Sequence, residues 1–162
     1  PDMVELSKVW IDTVKRGYET LQIGRTHLQH AEPVTYGFAV AWYLDRFANR
    51  IPKIQEAVND LRRKFSGAVG AYNASSLFVE DPEEFEKEVL RECGLDPANI
   101  STQIVEPEYV TDLVHYVISA WSVLANWADD TRNLMRPEIA EIAFRAVLMF
   151  HDLQPCRTKL IQ

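Results

Sequence analysis

Pro107-Glu108-Tyr109-Val110-Thr111-Asp112-Leu113-Val114-His115-Tyr116-Val117-Ile118-Ser119-Ala120-Trp121-Ser122-Val123-Leu124-Ala125-Asn126-Trp127-Ala128, running on to about Asn133, reads as a single long helix. Val110, Leu113, Val114, Val117, Ile118, Trp121, Leu124, Ala125 and Ala128 recur at three- and four-residue intervals and form one wide stripe. Tyr109, Tyr116, Val123 and Trp127 carry the apolar surface further around the cylinder. Roughly 27 residues at about 1.5 Å each make a rod near 40 Å, long for a small domain. A helix so apolar on most sides belongs inside a bundle, and in a chain this short part of that bundle must come from other chains. The expected fold class is therefore all-α, a bundle of long helices that assembles as a homo-oligomer.

The segments on the N-terminal side fit that frame. Residues 3–23 read as a first helix, with Leu6, Val9, Trp10, Val14 and Leu21 as its stripe and Gly24 as its stop. Thr35 reads as the N-cap of a second helix reaching about Lys64, with Phe38, Ala41, Leu44, Phe47, Ala48, Ile51, Ile54, Val58 and Leu61 on its apolar face. Pro52 inside it predicts a kink, because proline removes a backbone donor and clashes with the preceding turn. Residues 65–80 lose the periodicity and read as a loop. Asp81-Pro82-Glu83-Glu84 restarts a short helix, with an N-cap acid, proline at the first position and acids in the first turn. It ends at Gly94, and a second connector runs from Leu95 to Glu106. There is no βαβ alternation, internal repeat or low-complexity tract.

Composition narrows the function. The chain has 162 residues, 47% hydrophobic and 25% charged, ordinary values for one globular domain with a core. A formal net charge of −7 argues against nucleic acid, whose phosphates demand a basic face. No apolar run reaches the roughly 18 residues that span a bilayer, and no signal peptide opens the chain. Cys93 and Cys156 are too few and too far apart for a disulfide framework or a metal knuckle. The expected location is the cytoplasm, with no metal and no cofactor. The first residue is Pro1, so a processed chain or a piece of a longer one is expected.

The chemistry-bearing residues concentrate in the two connectors. There is no phosphate loop ending in Lys-Ser/Thr, no zinc-type spacing and no G-x-S-x-G elbow. Gly24-Arg25-Thr26-His27-Leu28-Gln29-His30-Ala31-Glu32-Pro33-Val34-Thr35-Tyr36-Gly37 is too polar for a core and too rich in hydrogen-bonding side chains for a plain connector. An imidazole titrates near neutrality, so His27 is a residue that can give a proton to a leaving group, while Arg25 and Thr26 beside it can hold an anion. An exposed or capping histidine is the equal alternative. His30 is the weaker candidate. His115, with Asp112, Ser119, Ser122 and Asn126, reads as a buried hydrogen-bonding strip between helices. Gln103, after Ser101 and Thr102, suits a ligand-binding loop or a solvated turn, and the residues by themselves favour the turn.

Four stretches also carry a resemblance. Gly24-Arg25-Thr26-His27-Leu28-Gln29-His30-Ala31-Glu32-Pro33 resembles the first helix-bundle motif of the adenylosuccinate lyases, in the fumarase/aspartase superfamily. Phe65-Ser66-Gly67-Ala68-Val69-Gly70 is similar to the family's Ser-Gly-Ala-Val-Gly segment. Ser101-Thr102-Gln103-Ile104, with Glu106, Pro107 and Tyr109, resembles the region that supplies a substrate-binding glutamine. Arg132 through Glu141, with Arg136-Pro137-Glu138-Ile139, resembles the approach to the signature loop. The four come in the family's order and cover residues 1 to about 142.

The resemblance implies a central domain of long helices packed as a homotetramer, with each active site built from three subunits. It implies a β-elimination that releases fumarate from adenylosuccinate, and from the succinyl-carboxamide nucleotide of purine synthesis. His27 would then be the general acid that protonates the departing nitrogen, with Thr26 on the substrate and Arg25 beside it. Gln103 would hydrogen-bond the succinyl portion, and Ser66 with Gly67 would shape the site. Argininosuccinate lyase or another fumarate-releasing lyase is the neighbouring alternative, and a non-catalytic helical assembly module the alternative from another class.

The departures matter as much. The family's loop of the type Gly-Ser-Ser-x-Met-Pro-x-Lys-x-Asn-Pro, which carries the catalytic serine and a lysine, has no counterpart in the sequence. Nor do the family's N-terminal and C-terminal domains, so residues 1–142 are expected to be a truncated central domain, inactive by itself. Residues 143–162 form an atypical tail. Back-translated with permitted codons and read from the third base, Leu153-Gln154-Pro155-Cys156-Arg157-Thr158-Lys159-Leu160-Ile161-Gln162 gives Ala-Thr-Met-Pro-His-Lys-Thr-Asn-Pro, nearly the missing loop. A tail out of frame is the expectation.

Overall fold

A computed structural model describes residues 2–143. The elements are α1 (Asp2–Arg16), β1 (Leu21–Thr26), β2 (Gln29–Thr35), α2 (Tyr36–Ala48), α3 (Ile51–Asn59), β3 (Arg62–Arg63), a 3-10 turn (Ser75–Leu77), α4 (Pro82–Glu92), β4 (Asp96–Pro97) and α5 (Glu108–Leu134). The chain is mainly helical, as the periodicity predicts. It divides into two compact units, one made of residues up to Ala48 together with those from Ala120 onward, the other of Asn49–Ser119. The atypical tail lies, from residue 144, outside the described residues.

In the first unit, aromatic side chains from three helices meet. Trp10 of α1 is 1% exposed and packs edge-on against Phe47 of α2 and Trp127 of α5, each with ring centroids 5.3 Å apart. Val40, Tyr43, Ala120 and Val123 complete this core. Helices α1 and α2 approach closely at their shared corner, where the Gly37 amide donates to the Gly17 carbonyl at 2.8 Å. A Cβ on Gly37 would stand 2.6 Å from the Val14 carbonyl oxygen, so only glycine fits there.

Between those helices the chain forms a β-hairpin, β1 antiparallel to β2, where the sequence predicts helix and then connector. Helix α1 stops at Arg16, and Gly24 lies within β1, at the irregularity in pairing between Ile23 and Arg25. Leu21, assigned from sequence to the first helix's apolar stripe, is instead a strand residue and 81% exposed. The cap prediction holds, since the Thr35 hydroxyl accepts from the Phe38 amide at 3.2 Å. The predicted apolar face of α2 is rotated, because Gly37, Val40, Tyr43 and Phe47 are buried and Phe38 is exposed.

In the second unit, Pro52 begins a separate helix, α3, and does not kink a continuous one. This follows from the same chemistry, as proline is tolerated in a first turn where its missing N–H has no partner to lose. Helix α3 ends at Asn59, short of Lys64, and Arg62–Arg63 pair in parallel with Asp96–Pro97. The Asp81 cap forms as read, its carboxylate accepting from the Glu84 amide at 2.9 Å. His115 and Asp112 are exposed in the single chain. At the far end of the predicted strip Asn126 accepts from Arg46 at 2.8 Å within the first unit.

The Trp10 cluster is the site where the first unit is most sensitive. Trp10→Ala is expected to cost about 3–5 kcal/mol, read from the denaturant midpoint of the chain. A change under about 1 kcal/mol would mean that the three rings do not form its core.

Candidate functional site

The hairpin exists because its turn is built from two residues with positive φ, His27 at 51° and Leu28 at 63°. Two left-handed residues in succession match the right-handed twist of the flanking strands, the geometry usually made with Asn-Gly. Thr26 pairs with Gln29 and Arg25 with His30 across it. Neither His nor Leu favours this backbone region, which costs roughly 1–2 kcal/mol per residue. The strain falls on the residue singled out for proton transfer, a concentration often found at functional sites. The imidazole of His27 is thereby carried on the exposed tip of a rigid two-stranded arm.

The arm is held near its tip by an ion pair. Arg25 donates to the Glu141 carboxylate in a short contact, with side chains only 18% and 21% exposed. The Gln22 amide donates to the other Glu141 oxygen at 3.0 Å, and Arg25 also reaches the Ile23 carbonyl at 3.3 Å. Arg25, expected to hold an anion, is therefore engaged by a carboxylate of its own chain. Burial alone would raise the Glu141 pKa, but the hydrogen bonds from Arg25 and Gln22 and the nearby charges of Arg25 and His30 bring it below its ordinary value. The hydrogen bond to Glu141 likewise raises Arg25. Gln22 keeps a buried carbonyl oxygen with no partner among the described residues.

Beside the arm lies a cavity of about 490 Å³, lined by Gln22, Arg25, His27, Tyr43, Trp127 and Asp130 among others. Its walls are mostly apolar, with polar groups from both the hairpin and the helices. On the helices the Tyr43 hydroxyl donates to Asp130, and Asn126 donates to the same carboxylate at 3.4 Å. Burial, followed by the Asp130 hydrogen bond and charge, pushes the Tyr43 hydroxyl well above the usual tyrosine range, so it remains a donor. An apolar hollow with a few converging polar groups is the usual form of a small-molecule site.

Ser66 and Gln103 belong to the second unit. Ser66 is 1% exposed and its hydroxyl is bonded to that of Ser101 at 2.8 Å. Gln103 is exposed, in a loop beside it. The hairpin residues Arg25, Thr26, His27 and His30 thus form one group, and Ser66 with the Ser101–Gln103 loop forms another. Two further residues carry weight that sequence reading overlooks. Glu86 is buried in α4, where four other acids surround it in sequence and nothing marks it out. Glu141 closes the Arg132–Glu141 stretch, but its partner Arg25 lies 116 positions away in sequence and nothing local marks it out.

The chain belongs to the lyase family whose sequence profile, described as Lyase, matches residues 1–147. Within that class it is similar to adenylosuccinate lyases. It is 33% identical to that of Pyrococcus abyssi over 168 aligned residues, covering 99% of this chain and 37% of the relative. The Pyrococcus horikoshii enzyme is 34% identical with the same coverages, and that of Aquifex aeolicus is 34% identical over 85% of this chain and 31% of its own. The chain thus spans little more than a third of the curated relatives it matches. Among solved structures, a fumarate lyase from Mesorhizobium sp. BNC1 superposes with a TM-score of 0.78 at 28% identity, covering 87% of this chain and 33% of that one. A beta-carboxy-cis,cis-muconate cycloisomerase from Acinetobacter calcoaceticus, at 22% identity and a TM-score of 0.75, shares the fold. Among the described residues, no helix is long and apolar enough to cross a membrane.

The lowered Glu141 pKa fixes the sign of a pH effect. A carboxyl depressed by folding contributes stability that is complete above its ordinary value of 4.5 and is lost as pH falls through the lower folded value. Glu141→Gln is expected to cost roughly 1.5–3 kcal/mol near neutrality and to flatten the stability–pH curve below 4.5. Parallel acid titrations of the two proteins, with the same slope in both, would remove Glu141 as the tie.

Proposed function

We propose that the chain acts in an adenylosuccinate lyase-type β-elimination, releasing fumarate from adenylosuccinate and from the succinyl-carboxamide nucleotide of purine biosynthesis. In active sites assembled from several subunits, His27 protonates the departing nitrogen with Thr26 and Arg25 lining the substrate's approach, and Gln103 of another copy hydrogen-bonds the succinyl portion with Ser66 shaping its surroundings. The observation that carries this reading is the left-handed turn that holds the His27 imidazole on the tip of an arm beside a cavity. A solvated loop histidine needs no such backbone. The similarity to adenylosuccinate lyases supports the choice of substrate over argininosuccinate. The sequence has no Gly-Ser-Ser-x-Met-Pro run, and a missing positioned base costs about 10² to 10⁴-fold. Binding without appreciable turnover is the behaviour expected of the chain alone, in the cytoplasm.

Calorimetric titration with adenylosuccinate tests this. His27→Ala is expected to weaken binding about tenfold or more, a loss of some 1.4 kcal/mol, with His30→Ala close to wild type. Argininosuccinate binding as tightly would favour the sister lyase, and equal affinity of wild type and His27→Ala would remove His27 from the site.

A second reading, assembly through helices, is compatible with the first and rests on α5. Val110, Val114, Val117 and Trp121 recur on one face, and Trp121 is 66% exposed. We propose that this stripe is covered by other copies in a homotetramer, the assembly that the resemblance to adenylosuccinate lyases implies. Light scattering should give a tetramer for the wild type and a smaller species for Trp121→Glu, and a wild-type monomer would end this reading.

A further inference from the structure

We infer that Lys64 is a positioning residue, which fastens the loop of Ser66 to the loop of Gln103 so that both face substrate as one body. The inference rests on the adenylosuccinate reading for what the loops do, and on the geometry for how they are held.

The ammonium of Lys64 donates to three backbone carbonyls. Two are Gly67 at 2.6 Å and Gln103 at 3.3 Å, and the third is Thr102. An ammonium has three donors, so Lys64 has none left for a ligand. One carbonyl comes from the Ser66 loop and two from the Gln103 loop. Three carbonyl dipoles pointing at one place repel each other, and a single cation among them turns that repulsion into attraction. An arginine fork is planar and directs its donors outward, so it cannot converge on one point in the same way.

Independent contacts support the same junction. Glu86 is 4% exposed and accepts from both the Phe65 amide and the Tyr72 hydroxyl, bracketing the Ser66 loop at its two ends. The Ser66 and Ser101 hydroxyls join the loops at 2.8 Å. Gly70 has a φ of 76°, and a Cβ there would stand 2.0 Å from the Ser101 carbonyl oxygen, so the two backbones touch. The Tyr72 amide is bonded to the Ser66 carbonyl and the Thr102 amide to the Ile104 carbonyl. These two amides report whether each loop stays closed.

Amide hydrogen exchange and calorimetry on Lys64→Met, Gln103→Ala and the double variant test the inference. Losing a charged hydrogen-bond donor should speed exchange at Tyr72 and Thr102 by about tenfold or more, with the amides around Trp10 unchanged. Adenylosuccinate affinity should fall in Lys64→Met as it does in Gln103→Ala, and the double variant should be no weaker than Gln103→Ala alone. Lys64→Arg should restore little of either, and it serves as the test should Lys64→Met fail to fold. Unchanged exchange would overturn the clamp. Faster exchange with additive affinity losses would overturn its role in positioning Gln103. If the wild type binds no adenylosuccinate, the substrate reading fails and exchange alone decides whether Lys64 joins the loops.

Discussion

The pairing of Arg25 with Glu141 is the interaction on which the site in the first unit depends. It joins the turn end of β1 to the segment that follows α5, residues 116 positions apart in sequence. Desolvating two charges is expensive, and the pair is sustained because Gln22 and the Ile23 carbonyl satisfy the remaining lone pairs and donors. The hairpin tip is strained, with both His27 and Leu28 in the left-handed region. A strained turn persists only where its surroundings fix the strands on either side. The ion pair supplies that constraint on β1, and Thr35 fixes the end of β2 by capping α2.

The second unit solves a comparable problem with opposite parts. There the loops bearing Ser66 and Gln103 have little regular structure, and their order comes from side chains that reach the backbone. Lys64 gathers carbonyls and Glu86 gathers donors. The Glu86 hydrogen bond, after burial, pushes the Tyr72 hydroxyl up to about 12, so that bond persists across the neutral range. Irregular backbone held by charged side chains suits a ligand-facing surface, where ladders of β-structure or helix would leave the polar groups already used.

The helices were largely legible in the sequence, and the hairpin was not. Helix α5 could be read because an apolar repeat sustained over seven turns outweighs any local exception. Helix α4 could be read from Asp81 and Pro82, whose capping chemistry is local. The hairpin has no such signal. Its turn is His-Leu in place of Asn-Gly, and Pro33 within β2 argues against a strand. Leu21 fell on the helical repeat by coincidence. The end of α2 was missed for a related reason, as Pro52 is equally compatible with a kink and with a new start, and only tertiary packing decides. His27 stood out by its own chemistry in a polar connector, whereas Ser66 and the role of Gln103 came through resemblance. Lys64, Glu86 and Glu141 gave no such signal, because their importance lies in partners distant in sequence.

The central claim is that His27 meets the substrate, and the ring itself can report this. Proton NMR of the four histidines during titration with adenylosuccinate, assigned by single substitution, follows His27, His30, His115 and His151 separately. The predicted result is a saturable shift of the His27 signals, with His115 on α5 unmoved. Saturable binding that leaves the His27 ring unshifted would contradict the claim.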